Sequence, residues 1–512
     1  MENEGSTHPW WKAAVVYQIY PRSFGDSNGD GVGDLEGIRR RLGHLAWLGV
    51  DAIWLSPFYR SPMKDFGYDV SDHCDVDPLF GELSDFDRLL ADAHARGLRV
   101  LLDWVPNHTS DRHPWFVEAR TSRASPRRDW YVWRDGSPER PPNNWRAALR
   151  DGPAWTWDEA TAQWYLHLFL PEQPDLDWGN PEVVAAMHAT LRFWLERGVD
   201  GFRIDVVNCL GKDPALPDVP AERARIPACA LVDEPRTHAL IRAIRRVLEE
   251  YPGERVMLGE VAIPWTDRVA SYYGEGDELH LAFNFPPLYA AWEAGAWRER
   301  IADAVAQHDP RGAWPTWVLS NHDNRRHRTR YGSEARARAA ALLLLTLRGT
   351  PFLYAGEELG LEDAMIPDAR RVDPGGRDGC RAPIPWEAAA PHGWVGAEPW
   401  LPWPPEAARR SVEAQRADAG SILHLYRRLL AVRRASPALA LGDFELLPAR
   451  EGVLAYRRRC GRDARTILVN FTDEAREVPV PGALRVELAS DGGGEGRRFS
   501  GTLAPAQALI LV

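Results

Sequence analysis

The stretches Gly201-Phe202-Arg203-Ile204-Asp205, Val256-Met257-Leu258-Gly259-Glu260 and Val318-Leu319-Ser320-Asn321-His322-Asp323 decide how this chain folds. Each contains a short apolar run that reads as a buried β-strand, and each ends on a carboxylate. On either side of them, residues 15–21, 51–57, 99–105, 201–207, 255–261, 281–285, 316–319 and 351–354 all read as buried strands. Between most of these, residues 35–48, 84–96, 181–197 and 237–251 carry apolar side chains at helical spacing, several opened by Ser, Thr or Asn-Pro cap signals. Eight strands alternating with helices predict an α/β fold, a (β/α)8 TIM barrel. A doubly wound open sheet would want a Gly-rich phosphate-binding turn after its first strand, and the sequence has none there.

In such a barrel the reactive groups gather at the C-terminal ends of the strands. Asp205, Glu260 and Asp323 would close strands four, five and seven and converge on one mouth. A single acidic strand end is equally well explained as a turn residue or helix cap. Three together, with Arg203 or His322 beside two of them, supply what cleavage of a sugar acetal requires. One carboxyl protonates the leaving oxygen, and another meets the developing oxocarbenium ion. Strand alternation puts Arg203 on the face of Asp205, where its guanidinium would keep that carboxylate ionised. Glu260 follows Gly259 in an apolar run, a setting expected to favour the protonated acid. His322 can donate to sugar hydroxyls, and so can His108 in Asp103-Trp104-Val105-Pro106-Asn107-His108 at the end of strand three.

The chain has 512 residues, 45% of them hydrophobic, enough for a large core and more than one domain. Its net charge of −11 is spread without a basic stripe, which argues against nucleic-acid binding. The 23 Trp residues include candidates for stacking on sugar rings, although most are expected in cores and interfaces. The first ten residues have neither a basic nor an apolar region of a secretory signal, and the longest apolar run, 339–347, is too short to span a bilayer. Five scattered cysteines without a CxxC pair suggest reduced thiols in a cytoplasmic protein. No organic cofactor is expected.

Residues 105–172 form an oversized excursion after strand three, rich in Trp, Pro, Asp and Arg, and are expected to be an inserted domain. The barrel then occupies 1–104 and 173–435, with a last amphipathic helix over 422–434. Residues 436–512 change character, with short strands over 451–459, 466–471 and 477–480, and predict a C-terminal antiparallel β-domain. The loop Asp26-Ser27-Asn28-Gly29-Asp30-Gly31-Val32-Gly33-Asp34 offers alternating oxygens with glycines to turn it, a pattern suited to Ca²⁺. Its twelfth position is Gly37, not Glu, and a strand precedes it, so it is no EF-hand. The expected ligands are Asp26, Asn28, Asp30, Asp34 and the Val32 carbonyl; Mg²⁺ or a metal-free hydrogen-bonded turn are the alternatives.

The motifs ending in His108, Asp205, Glu260 and Asp323 resemble the four sequence regions of the α-amylase family of glycoside hydrolases. Gln173-Pro174-Asp175-Leu176-Asp177 resembles the fifth, in the form found in the oligo-1,6-glucosidase and α-glucosidase branch, with Asp177 where Asn is commoner. The resemblance runs from about residue 15 to 386. It implies Asp205 as the nucleophile of a retaining mechanism, Glu260 as the acid and later the base, and Asp323 as the holder of the 2- and 3-hydroxyls. The first two carboxyls would lie about 5–5.5 Å apart. It also implies that Tyr68, in Gly67-Tyr68-Asp69, stacks under the terminal glucose while Asp69 binds its far hydroxyls. Arg381, in Gly379-Cys380-Arg381-Ala382-Pro383-Ile384-Pro385-Trp386, resembles the Arg of the branch's Arg-Thr-Pro-Met-Gln-Trp signature, with Ala382, Ile384 and Pro385 as departures. Asp69 with Arg381 would close the pocket beyond one glucose, and Phe169 would add an aromatic wall. In similar enzymes the Asp26–Asp34 loop carries a structural cation. The expected activity is an exo-acting α-glucosidase on short α-glucosides; trehalose synthase, sucrose isomerase and transglucosidase use the same kind of site. Val206, directly after Asp205, leans toward α-1,6 linkages in this branch.

Overall fold

A computed structural model describes residues 8–263, 266–396, 398–480 and 482–512. Most of the N-terminal stretch read for a leader, residues 1–7, lies outside the described residues.

Eight parallel strands build the predicted barrel: Val16–Ile19, Ala52–Leu55, Arg99–Trp104, Gly201–Ile204, Val256–Gly259, Leu281–Ala282, Thr316–Val318 and Thr350–Tyr354. Numbered along the chain, they pair in the order 6-5-4-3-2-1-8-7. Strand alternation divides their side chains between two cores. Val16, Trp54, Leu101, Leu258, Leu281, Val318 and Phe352 cluster together. Their strand neighbours Tyr17, Ile53, Leu102, Met257, Ala282 and Leu353 join the much larger cluster shared with the helices. The sixth strand is shorter than its sequence suggested, because Asn284 leaves the ladder and donates its N–H to the Thr316 hydroxyl at 3.1 Å. Among the described residues strands six and seven share no ladder. The Thr316 hydroxyl, which also donates to the Ala282 carbonyl at 2.9 Å, spans that gap.

Of the cap signals in the sequence, Asn180 before Pro181 holds, whereas Ser84 and Thr237 lie inside helices that open after Glu82 and Glu234, and Asp34, read as a metal ligand, caps a helix. Asp34 accepts from Gly37 N–H to open Leu35–Leu48, and Asn180 accepts from Glu182 N–H to open Pro181–Glu196.

Within the excursion after strand three, Trp133–Arg134, Gln163–Leu166 and Trp155–Asp158 form a three-stranded antiparallel sheet. It is anchored back to the barrel side by bridges between His108 and Asp175 and between Tyr131 and Leu176. A second excursion, not anticipated as such, follows strand four over residues 210–234 as a series of short turns. It is stapled to the first. Asn143 donates to the Leu216 carbonyl at 3.0 Å and Trp145 Nε1 to the Pro217 carbonyl at 2.9 Å, while Asn144 and Val219 exchange two bonds of 2.8 Å. After the helix Ile422–Ala435, strands Asp443–Leu447, Val453–Cys460, Asp463–Asn470, Val486–Ala489 and Ala508–Leu511 form the C-terminal antiparallel sheet. No helix among the described residues is long and apolar enough to cross a membrane.

Candidate active site

The register of strands three, four and five assembles the centre. Asp103 pairs with Arg203, and Arg203 with Leu258, so the side chain of Arg203 stands between the ends of three strands. Its guanidinium reaches three carboxylates: Asp103 at 2.7 Å, Asp205 at 2.6 Å and Glu260 at 2.5 Å. Glu260 also accepts the Val206 N–H at 3.1 Å. Residue 259 has no room for a side chain; a Cβ there would fall 2.3 Å from Leu279 Cδ1 and 3.0 Å from Val207 Cγ1.

Three carboxylates on one guanidinium leave the cluster over-charged if all are ionised. Burial, and then Glu260 and Asp103, push the Asp205 carboxyl well above its ordinary range against the pull of Arg203. Asp103 is pushed up to about 6, first by burial. Arg203, expected to keep Asp205 ionised, is shared with Asp103 and Glu260, and its pull on Asp205 does not offset burial. Nor is Glu260 in an apolar setting, since it sits on Arg203. Asp103 and Asp205, neighbours on one guanidinium, titrate together rather than singly.

Asp323 completes the mouth from strand seven. Its Oδ1 accepts from Arg377 at 2.9 Å and from Arg381 at 3.1 Å. Burial pushes its carboxyl up, but the facing His322 and the two guanidiniums outweigh burial and hold it below the usual carboxylate range. His322 lies between the rings of Tyr20 and Tyr68, stacked with centroids at 5.9 and 5.3 Å. Burial lowers its pKa to about 3, so the ring is neutral. Gln18 Nε2 stands 2.7 Å from its Nδ1, which puts the proton on Nε2, facing the Tyr68 hydroxyl at 2.6 Å and Asp323 at 3.3 Å. Tyr68 in turn donates to Asp103 at 2.9 Å. His322 thus orients Tyr68 and Asp323 and is not one of the residues that line the cavity.

That cavity has a volume of about 560 Å³. Of the predicted residues, Asp205, Glu260, Asp323, Tyr68, His108 and Phe169 line it, with Arg203 beneath them. Gly67 lets Tyr68 turn in: it adopts φ 114°, and a Cβ there would lie 2.9 Å from the Pro57 carbonyl. His108 packs against Phe169 with centroids at 5.2 Å; its Nδ1 faces Asn107 Nδ2 at 3.1 Å and its Nε2 the Tyr68 carbonyl at 3.2 Å, so the protein already engages both nitrogens.

Besides His322, two further assignments are corrected. Asp69 does not line the cavity; it is fully buried and accepts the N–H groups of Lys64 at 3.0 Å and Asp65 at 2.9 Å and the Ser61 hydroxyl at 2.9 Å. Arg381 does not line the cavity either; it is fully buried and donates to the His322 carbonyl at 2.7 Å as well as to Asp323. The pair that closes this end is Asp65 with Arg377, at 2.6 Å. Asp65 lies three residues before Tyr68, and Arg377 four before Arg381, in the turn Gly375-Gly376-Arg377-Asp378. An arginine set among glycines and aspartates was the available signal for it.

The opposite side of the cavity is apolar. Ile226 and Ala230 come from the second excursion, Leu149 from the first, and Ala262, Ile263, Phe285 and Tyr289 from the ends of strands five and six. Tyr289 is 67% exposed. Val206 lines the cavity at φ 34°, a left-handed conformation that costs a β-branched residue energy and aims its N–H at Glu260. Cys209 and Cys229 are buried, the Cys209 thiol donating to the Cys229 carbonyl at 3.3 Å.

The Asp26–Asp34 loop lies apart from the cavity. Asp26 accepts from Asn28, Gly29 and Gly31 N–H, Asp30 from Val32 N–H, and Asp34 from Ser27 and Gly37 N–H. Burial pushes the Asp34 carboxyl up, and the nearby Asp26 adds to it. Two buried carboxylates near each other are donor chemistry that suits a hard cation. Among the described residues no three acidic, His or Cys side chains converge as ligands, so a cation would draw the balance from Asn28 and the Val32 carbonyl.

A barrel with paired carboxylates at its strand ends, and a pocket closed beyond them by an ion pair, defines a glycoside hydrolase. The chain belongs to the α-amylase family: the description "Alpha amylase, catalytic domain" matches residues 18–442, and a domain of unknown function, DUF3459, matches residues 441–511. It is 44% identical over 507 residues to a probable alpha-glucosidase of Rhizobium meliloti (strain 1021), covering 92% of this chain and 91% of that one. It is 35% identical over 522 residues to the oligo-1,6-glucosidase of Parageobacillus thermoglucosidasius, covering 92% of each. Among solved structures, that of the alpha-glucosyl transfer enzyme XgtA superposes with a TM-score of 0.91 at 40% identity over 99% of each chain.

Proposed function

We propose that this protein is a cytoplasmic, retaining, exo-acting α-glucosidase that removes single glucose units from the non-reducing end of short α-glucosides. One observation carries the reading: Arg203 gathers Asp205 and Glu260 at one point of a cavity whose far end Asp65 and Arg377 close. An α-linked terminal glucose with its ring on Tyr68 would meet Asp65, Arg377 and Asp323 with its hydroxyls and present its anomeric carbon to Asp205. A closed end of this kind favours chain ends over internal bonds. The two stapled excursions roof the other side and favour short substrates.

In the proposed reaction the Asp205 carboxylate attacks the anomeric carbon as Glu260 gives its proton to the departing oxygen. The glucosyl ester so formed is hydrolysed when Glu260, now a carboxylate, takes a proton from the attacking water. Asp323, held by two guanidiniums, grips the 2- and 3-hydroxyls as the ring distorts. Val206 beside the reacting centre supports tolerance of α-1,6 linkages. We further propose a structural Ca²⁺ on the Asp26–Asp34 loop, held by the buried Asp26 and Asp34 with Asn28 and the Val32 carbonyl, with no part in the chemistry; Asp30, expected as a fifth ligand, does not converge with the other two carboxylates.

The apolar outer wall favours a second outcome. Phe285, Tyr289, Ile226 and Ile263 offer an organic acceptor more surface than they offer water, and the glucosyl-enzyme would then be intercepted by a sugar or alcohol hydroxyl, as in a transglucosidase. Proton NMR time courses with maltose, isomaltose, sucrose and trehalose separate the readings. Early release of α-glucose establishes the hydrolase and the rate ratio its linkage preference. New disaccharides without net glucose release would establish the transferase, and β-glucose as first product would overturn the retaining mechanism.

A further inference from the structure

The closed end of the pocket is an alternating chain of charge: Asp65, Arg377, Asp373, Arg381, Asp323. Four of these five contact either the cavity or the Asp323 carboxylate that faces it. Asp373 does neither, yet its carboxylate accepts five hydrogen bonds, as many as the Arg377 side chain donates. Its Oδ1 accepts from Arg377 Nε at 3.1 Å, Arg377 Nη2 at 2.6 Å and Arg381 Nη1 at 3.1 Å. Its Oδ2 accepts from the Arg377 N–H at 2.7 Å and from Arg377 Nε at 2.9 Å. The loop that carries it is tied to itself, because the Asp378 carboxylate accepts the N–H groups of Val372 and Asp373.

We propose that Asp373 is a positioning residue for the glucose pocket: it holds Arg377 and Arg381 in the one arrangement that lets both guanidiniums reach the same oxygen of Asp323. The inference rests on the α-glucosidase reading of the site. Two buried guanidiniums on one carboxylate oxygen repel each other, and like charges at this range are costly away from water. Asp373 lies between them as counter-ion and as template. Arg381 has further anchors in the His322 carbonyl and in deep burial. Arg377 lines the cavity, and without Asp373 it would keep only Asp65 and Asp323, both of which face substrate. The segment Asp373-Pro374-Gly375-Gly376-Arg377 therefore brings its own counter-ion to an arginine that must stay still while the sugar arrives.

The test is Asp373→Asn, which keeps the shape but removes the charge and turns a donor toward a guanidinium. Hydrolysis of maltose by the unaltered protein tests the α-glucosidase reading independently; the ratios between variants test this inference. For Asp373→Asn we expect kcat/KM to fall about 10–100-fold and the inhibition constant of glucose to rise about tenfold, the scale of lost charge-assisted hydrogen bonds. In an Arg377→Met background the same substitution should cost less than about threefold, because its effect runs largely through Arg377. A merely structural role would give equal losses in both backgrounds, and that additivity would overturn the proposal. So would an Asp373→Asn protein within about twofold of the parent in kcat/KM and glucose inhibition. If Asp373→Asn does not fold, Asp373→Glu decides: an unchanged Tm with a loss of about 3–10-fold supports the proposal, and full activity sinks it.

Discussion

The two halves of the pocket are made of opposite materials. The glucose-facing half is charge on charge, delivered by strand ends and the 372–381 segment, with nearly every polar atom committed to a neighbour. The outer half is apolar and comes from excursions and loop turns, ending in an exposed tyrosine. The difference teaches where each property of such an enzyme resides. Chemistry and recognition of the first sugar need fixed groups, and barrel strands supply them. The identity of what is released, or of what replaces water, is left to loops that can vary without disturbing the acids.

The contrast can be broken most decisively at the centre. Asp205→Asn should lower kcat by at least about 10⁴-fold, with Tm unchanged or raised, because Arg203 loses one carboxylate from an over-charged group. Steady-state kinetics beside a thermal melt measures both; activity within tenfold of the parent would move the nucleophile elsewhere. At the closed end, Asp65→Asn should raise KM for maltose and lower kcat/KM by about 10–100-fold, with a parallel weakening of glucose inhibition. In the outer half, Tyr289→Ala should change the ratio of transfer to hydrolysis by only about two- to fivefold and leave glucose inhibition where it was. A large effect on glucose inhibition would show that the halves are not separable.

The smallest effect tests the layer behind the floor. Glu357 is buried after the eighth strand, accepts from the Tyr426 hydroxyl at 3.1 Å, and burial pushes its pKa up to about 8. The folded state thus binds a proton that the unfolded chain releases at lower pH. Stability from this group is complete below about 4.5 and is lost as pH rises through about 8. Glu357→Gln should remove that loss, raising Tm at pH 9 by a few degrees and changing it little at pH 5.

Much of the glucose-facing half was legible in the sequence because strands impose a rule. Their period fixes which side chains share a face, so Arg203 and Asp205 could be placed together before any coordinates. The same rule does not hold in the turn Asp65-Phe66-Gly67-Tyr68-Asp69, where Phe66 and Gly67 both take positive φ. The family resemblance points to Asp69 and Arg381, whereas the turns bring Asp65 and Arg377 to the cavity. The sharing of Arg203 among three carboxylates depends on register between strands a hundred residues apart, which no local pattern records. The roof was missed for the same reason: residues 210–234 show neither helical nor strand period, and only their bonds to 143–146 reveal what they cover.

The barrel is closed in two different languages. At seven joins the backbone does the bonding, and the sequence is free to vary so long as it stays apolar. At the eighth, between strands six and seven, hydroxyls of the described residues speak instead: that of Thr316 accepts the Asn284 N–H and donates to the Ala282 carbonyl, and that of Tyr273 accepts the Ala282 N–H and donates to the Trp314 carbonyl. Freedom of spelling ends there. A valine of the same outline at 316 would fill the space and say nothing, leaving the Tyr273 hydroxyl to carry the join.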